Sequence, residues 1–217
     1  MTSDRDVPYG SMILLPGLIT LGVTLLRLTG ERLGWSKAFF NPEPGGGGAL
    51  VGIVWLIPIF GILFALKLAG LGHGPAGLGK AFGLAFAAFA LMVAIIVSIN
   101  ALKLPFVASL FLIGVGSIAG IALAWRGWPE LAKALLLYGF AARLPVAAVA
   151  LVAMLGDWKT HYDVSPPELP AMGVWPRFFM IGLMPQMTIW LFVTVVLGLI
   201  FGSVAYAAAG KRVRVAA

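Results

Sequence analysis

Residues 134–156 read ALLLYGFAARLPVAAVALVAMLG. The run holds one permanent charge, Arg143, and no acid to answer it. Its length decides the class of structure, because about 20 apolar residues are needed to cross a hydrocarbon core about 30 Å thick. A chain in lipid must close its own backbone hydrogen bonds, so a continuous apolar run of this length reads as a helix. A transmembrane barrel would show short alternating strands instead.

Outward from this run, further segments of the same character lie at about 11–29, 49–69, 81–101, 105–125 and 185–209. The expected fold is an all-α membrane protein, a single polytopic domain over residues 1–217. It is a bundle of about six transmembrane helices with short cytoplasmic turns and two longer outer loops. Composition agrees: 61% of the 217 residues are hydrophobic, 11% are charged, and mean hydropathy is +1.02. Soluble domains are about half apolar and about a quarter charged. No polar interval is long enough to fold alone. Segment 1 lacks a small-residue cleavage site and ends in LLRLTGER, so it reads as a retained span and not as a removed signal peptide. Pro16, Pro58 and Pro145 fall inside three of these segments, where each removes a backbone bond and is expected to kink its helix.

The net charge of +7 would suggest nucleic acid as partner in a soluble chain. Here the cations cap apolar runs, the pattern that sets membrane topology, so the bilayer is the expected partner and nucleic acid is not. With a cytoplasmic N-terminus, Arg5, Lys67, Lys80, Arg126, Lys133 and the tail KRVRVAA lie inside. Arg27, Arg32, Lys37, Lys103, Lys159 and Arg177 then lie outside. The basic tail tips the balance to both termini cytoplasmic, in a plasma or bacterial inner membrane. Cysteine is absent, which excludes disulfides, thiolate chemistry and cysteine-bound metal.

Outer loop 1, GERLGWSKAFFNPEPGGGG, joins aromatic residues suited to the headgroup zone to the freely turning Gly45–Gly48. Outer loop 5, GDWKTHYDVSPPELPAMGVWPR, is rich in proline and should resist helix. Leu102–Leu104 leave room only for a tight hairpin between spans 3 and 4. Two readings of residues 177–210 stay open. Either Phe178–Met184 lies near the interface and the last span begins at about Pro185, or one long kinked helix runs through.

The motifs carry little chemistry. GLGHGPAGLGK, residues 70–80, matches GxGxxG and most of a P-loop, but an apolar span precedes it where those motifs need a strand. Ala81 also stands where a P-loop needs Ser or Thr, so the stretch reads as a turn. Gly116 with Gly120, and Gly198 with Gly202, put glycine on one helix face, for packing within the chain or for a homo-oligomer. His161, Asp163 and Glu168 could gather a cation on the outer loop, short of the ligand set that metal sites usually need, so no metal and no cofactor is expected. All eight acids lie in termini, loops or span edges, which weighs against a proton relay, and no nucleophile elbow is present.

Arg143 remains. Placed 14 residues before Asp157, it lies about 21 Å below the outer end of its span and so about 10 Å inside the cytoplasmic edge. Burying a central arginine costs roughly 2.5 kcal/mol or more, which something must offset. It could snorkel to inner headgroups. It or Tyr138 could answer the Ala141 carbonyl, which Pro145 leaves free. Or it could hold an anionic lipid or small anion, with Tyr138 and Gln186 as further polar candidates. Gln186 and Asn100 fall near the outer ends of their spans, which is expected to keep them out of reach of Arg143. The leading functional expectation is a small carrier or an anion- or lipid-binding protein with its site near Arg143. The alternatives are a non-catalytic subunit of a membrane complex and, behind it, a membrane enzyme using His161 and Asp163.

Overall fold

The structure is a computed structural model that describes residues 6–46, 48–167 and 169–215, with side chains through residue 209. The elements in chain order are α1 (Tyr9–Arg32), α2 (Leu56–Gly70), α3 (Leu78–Ala101), α4 (Phe106–Trp125) and α5 (Pro129–Gly156), followed by the last helical run. That run comprises α6 (Val174–Arg177), a π-helical turn over Phe178–Leu183, α7 (Met184–Met187) and α8 (Ile189–Val215). No strand occurs among the described residues. Among the described residues, six helical runs are long and apolar enough to cross a membrane: Tyr9–Arg32, Ile53–Gly70, Leu78–Ala101, Phe106–Trp125, Pro129–Gly156 and Val174–Ala209.

Several boundaries differ from the sequence expectation, each for a local reason. The second span does not begin at 49. Gly45, Gly46 and Gly48 adopt positive φ, Gly52 is extended, and only a 3-10 turn at Ile53–Trp55 leads into α2. Pro58 therefore falls in the first turn of α2, where its missing N–H has no helical partner to lose. The fifth span begins at Pro129, not 134. Proline suits the first helical position and Glu130 complements the dipole of the first turn, so the helix extends past its apolar part. The proline-rich segment after α5 stays free of helix, among the described residues, only as far as Gly173, because Pro176 sits in the short first turn of α6, where proline is tolerated. The helices continue through Pro16 and Pro145.

The last run resolves its two readings into a single helical path interrupted once. A π turn precedes Pro185, and the break falls at Thr188, with φ −119° and ψ −90°. Pro185 cannot donate to the preceding turn and its ring crowds the carbonyl there, so the ladder loosens around it.

α8 is the hub, packing against α2, α3, α4 and α5, and α5 also packs against α1. α3 and α4 form the expected hairpin, closed by Leu104 N–H donating to the Ile99 carbonyl, with Lys103 at positive φ. Large apolar side chains such as Phe86, Phe89, Phe111 and Ile118 face outward, the normal surface of a helix set in lipid.

Close approach depends on small residues. A Cβ on Gly120 would meet the Phe192 ring 2.5 Å away, and one on Gly202 the Gly61 carbonyl 2.8 Å away. A Cβ on Gly116 would strike Ile95, and one on Gly198 would strike Leu135. All these neighbours belong to the same chain, so both glycine pairs serve contacts within the bundle. The tightest seam is α2 on α8: a Cβ on Gly61 would lie 2.6 Å from the Gly198 carbonyl oxygen. The glycine-rich turn at 70–80 is likewise packed. Trp128 Nε1 donates to the His73 carbonyl at 2.8 Å, and Gly74 lies against Tyr206.

Candidate functional site

A cavity of about 440 Å³ opens between α1, α4, α5, the loop after α5 and the broken stretch before α8. Most of its wall is apolar, from residues such as Ile113, Val146, Ala150 and Ile181. Its polar groups are few and of unequal satisfaction.

At the deep end lies Arg143. The full helix places it near the middle of α5, about 20 Å from either end. Its side chain is not directed at lipid, being only 3% exposed. The guanidinium carbon lies 4.9 Å from the centroid of the Trp190 ring, a cation–π contact. Its Nε is buried with no hydrogen-bond partner among the described residues, and no carboxylate forms an ion pair with it there.

Gln186 lines the same cavity, and its Oε1 is buried without a partner among the described residues. The break at Thr188 brings it there. A regular helix would spread consecutive residues around its circumference, whereas here Pro185, Gln186, Thr188, Ile189 and Trp190 all line one wall. Tyr138, by contrast, is turned into the core. Thr20 Oγ1 gives its one proton to the Pro16 carbonyl, so the Tyr138 hydroxyl donates to Thr20 Oγ1 at 2.8 Å. Phe60 and Phe64 pack edge-on against the Tyr138 ring. Asn100 ends in an exposed bond to the Ile96 carbonyl, away from the cavity.

At the other end of the cavity stand Arg27 and His161. Glu31, whose side chain is fully buried, receives Arg27 Nε at 2.9 Å, the His161 backbone N–H at 2.9 Å and His161 Nδ1 at 2.6 Å. Arg27 also donates to the Gly46 carbonyl at 3.0 Å. Gly46 has positive φ and its Cα passes so close to Arg27 that a side chain there would collide, which gives one member of the glycine run a specific task. Burial pushes the His161 imidazole below the usual histidine range, and the Arg27 charge acts the same way. The Glu31 bond, with the charges of Glu31 and Asp163, opposes this without reversing it. A neutral His161 that donates from Nδ1 keeps its lone pair on Nε2.

Asp163 does not share this cluster. Its carboxylate accepts from the backbone N–H groups of Lys159 and Thr160 and from the Thr160 hydroxyl, closing the turn at 159–163. Glu168 lies outside the described residues. Among those described, no three His, Asp or Glu residues are placed to hold a metal ion.

Arg27 and Glu31 escaped the sequence reading as site residues, although their spacing of four was a legible signal for an ion pair on one helix face. Trp190 carried no signal at all, being one aromatic in a long apolar run. Compared with known families, curated proteins and solved structures, the chain matches none.

Proposed function

We propose that the chain is a multi-pass integral membrane protein that holds a ligand with an anionic or polar head against Arg143, acting as a small carrier or a lipid- or anion-binding protein. The expected setting is a plasma or bacterial inner membrane with both termini cytoplasmic. The observation that carries the proposal is the Arg143 guanidinium, buried at mid-helix, unpaired at Nε and lining an apolar cavity. A buried unpaired cation is costly, and a fold that keeps one has a use for it or an absent partner for it. Gln186, also unpaired, adds a second polar anchor, and the apolar wall between suits a hydrocarbon body.

The test uses thermal unfolding in a neutral maltoside detergent, with decanesulfonate as the long-chain probe and methanesulfonate as the short one. Binding stabilises the fold by mass action, about 2.7 kcal/mol at a hundred times Kd. Wild type should be stabilised; Arg143→Gln should fold and lose the effect, and Arg143→Lys should keep part of it. Stabilisation that survives unchanged in Arg143→Gln defeats the proposal. Stabilisation by decanesulfonate alone marks an amphiphile site, and stabilisation by both marks a head-group site.

A further inference from the structure

His161, bonded to the buried Glu31, lines the same cavity as Arg143 and takes no part in holding the anion directly. It resembles the carboxylate–imidazole arrangement that orients a proton-transfer group: Glu31 fixes the Nδ1 proton, and Nε2 is left with a lone pair. The pair is set in a rigid frame. Tyr162 stacks beside His161 with ring centroids 3.8 Å apart, and Tyr162 packs in one cluster with Val146 and Ala150. Those two residues follow Arg143 by three and seven positions, so Tyr162 packs roughly 5–10 Å along the helix axis from Arg143.

We propose that the Arg143 cavity is a proton-linked anion site: when a permanently charged anion enters, His161 takes up a proton at Nε2, and the anion and the proton bind together. The charged groups around the imidazole set the direction of the coupling. α1 presents Arg27 and Glu31, which pair with each other. The loop itself presents Asp163, engaged in its own turn, and the Tyr162 hydroxyl, which burial keeps protonated and which donates to the Thr24 carbonyl at 3.3 Å. α5 presents Arg143, the one cation here without a carboxylate partner among the described residues. Without ligand, the enclosed imidazole stays neutral. An anion on Arg143 neutralises that cation and adds negative charge to a poorly hydrated space, which favours the imidazolium. Over about 10 Å at an effective dielectric of about 20, one charge shifts such a group by about one pK unit, or roughly tenfold in affinity. Linkage makes the effect reciprocal, so the anion binds more tightly as pH falls.

This inference rests on the anion site proposed above, and the experiment separates the two. Decanesulfonate stays ionised across the range, so its binding to the full chain in maltoside detergent is measured by calorimetry from pH 8 to pH 5.5. Proton uptake is read in parallel from two buffers of different ionisation enthalpy. The expected result is affinity rising roughly tenfold toward acid, with up to one proton taken up per anion. His161→Gln, which keeps an N–H to give Glu31, should bind with an affinity that no longer varies with pH, while Arg143→Gln should not bind. Wild-type binding that is independent of pH, without proton uptake, overturns the proton link and leaves the anion site standing. No binding by wild type at any pH overturns both. A pH dependence that persists unchanged in His161→Gln also overturns the link. If His161→Gln fails to fold, the proton uptake of wild type decides the matter alone.

Discussion

Replacing Arg143 with methionine should make the ligand-free protein more stable. Methionine is unbranched and flexible, follows the path of the arginine stem, and carries no charge to desolvate. In a helix centre the arginine charge costs roughly 2.5–3.5 kcal/mol, and its Nε has no partner to soften that. The Trp190 contact returns about 1–2 kcal/mol when desolvated. The remainder, with the apolar burial that methionine adds, amounts to about 2 kcal/mol in favour of Arg143→Met. For a chain of this size, 1 kcal/mol moves the midpoint by about 2–4 °C, so a rise of roughly 4–8 °C is expected. The assay is thermal unfolding of both proteins after exhaustive exchange into neutral detergent, so that no anionic amphiphile is carried over. With saturating decanesulfonate the order should narrow or invert, because only wild type gains from the anion. A ligand-free Arg143→Met that melts well below wild type would overturn this expectation. It would mean that the guanidinium makes contacts on which the bundle depends, and that its burial reflects structure and not a vacant site.

Three further outcomes follow from the packing and the charges. Gly61→Val should cost about 3 kcal/mol or prevent folding, because its Cβ meets the Gly198 backbone at 2.6 Å, whereas Gly22→Ala, with open space around it, should gain about 0.5 kcal/mol; chemical unfolding in mixed micelles compares them. Tyr138→Phe should lose about 1 kcal/mol with its bond to Thr20 and leave anion binding unchanged, since the hydroxyl faces the core. His161 lies below its unfolded value of about 6.5, so below that pH the unfolded chain binds the extra proton and ligand-free stability falls; His161→Gln should show a smaller loss between about pH 7 and pH 5 in melting scans.

Much of the fold was legible because length and apolarity are properties of a line of residues. A run such as 81–101 declares a membrane-length helix whatever surrounds it. The ends were less legible: Glu130 and Lys133 made the start of α5 look like loop, although Pro129 was there to mark it. Five further residues of helix put Arg143 near the helix centre, about 20 Å from either end. The Arg143 question was visible in FAARLPVAA, but its surroundings were not.

Length and apolarity along the chain already dictate long helices and leave Arg143 with no neighbour in sequence to balance it. It takes the folded arrangement to set Gln186 on the cavity wall with Arg143, to turn Tyr138 to Thr20, and to bring Glu31 to His161 across 130 residues of chain. These helices are apolar around their whole circumference, so no polar face announces which side turns inward. Which side chains meet is then set by close packing, by glycine seams such as Gly61 on Gly198, and by the backbone break at Thr188.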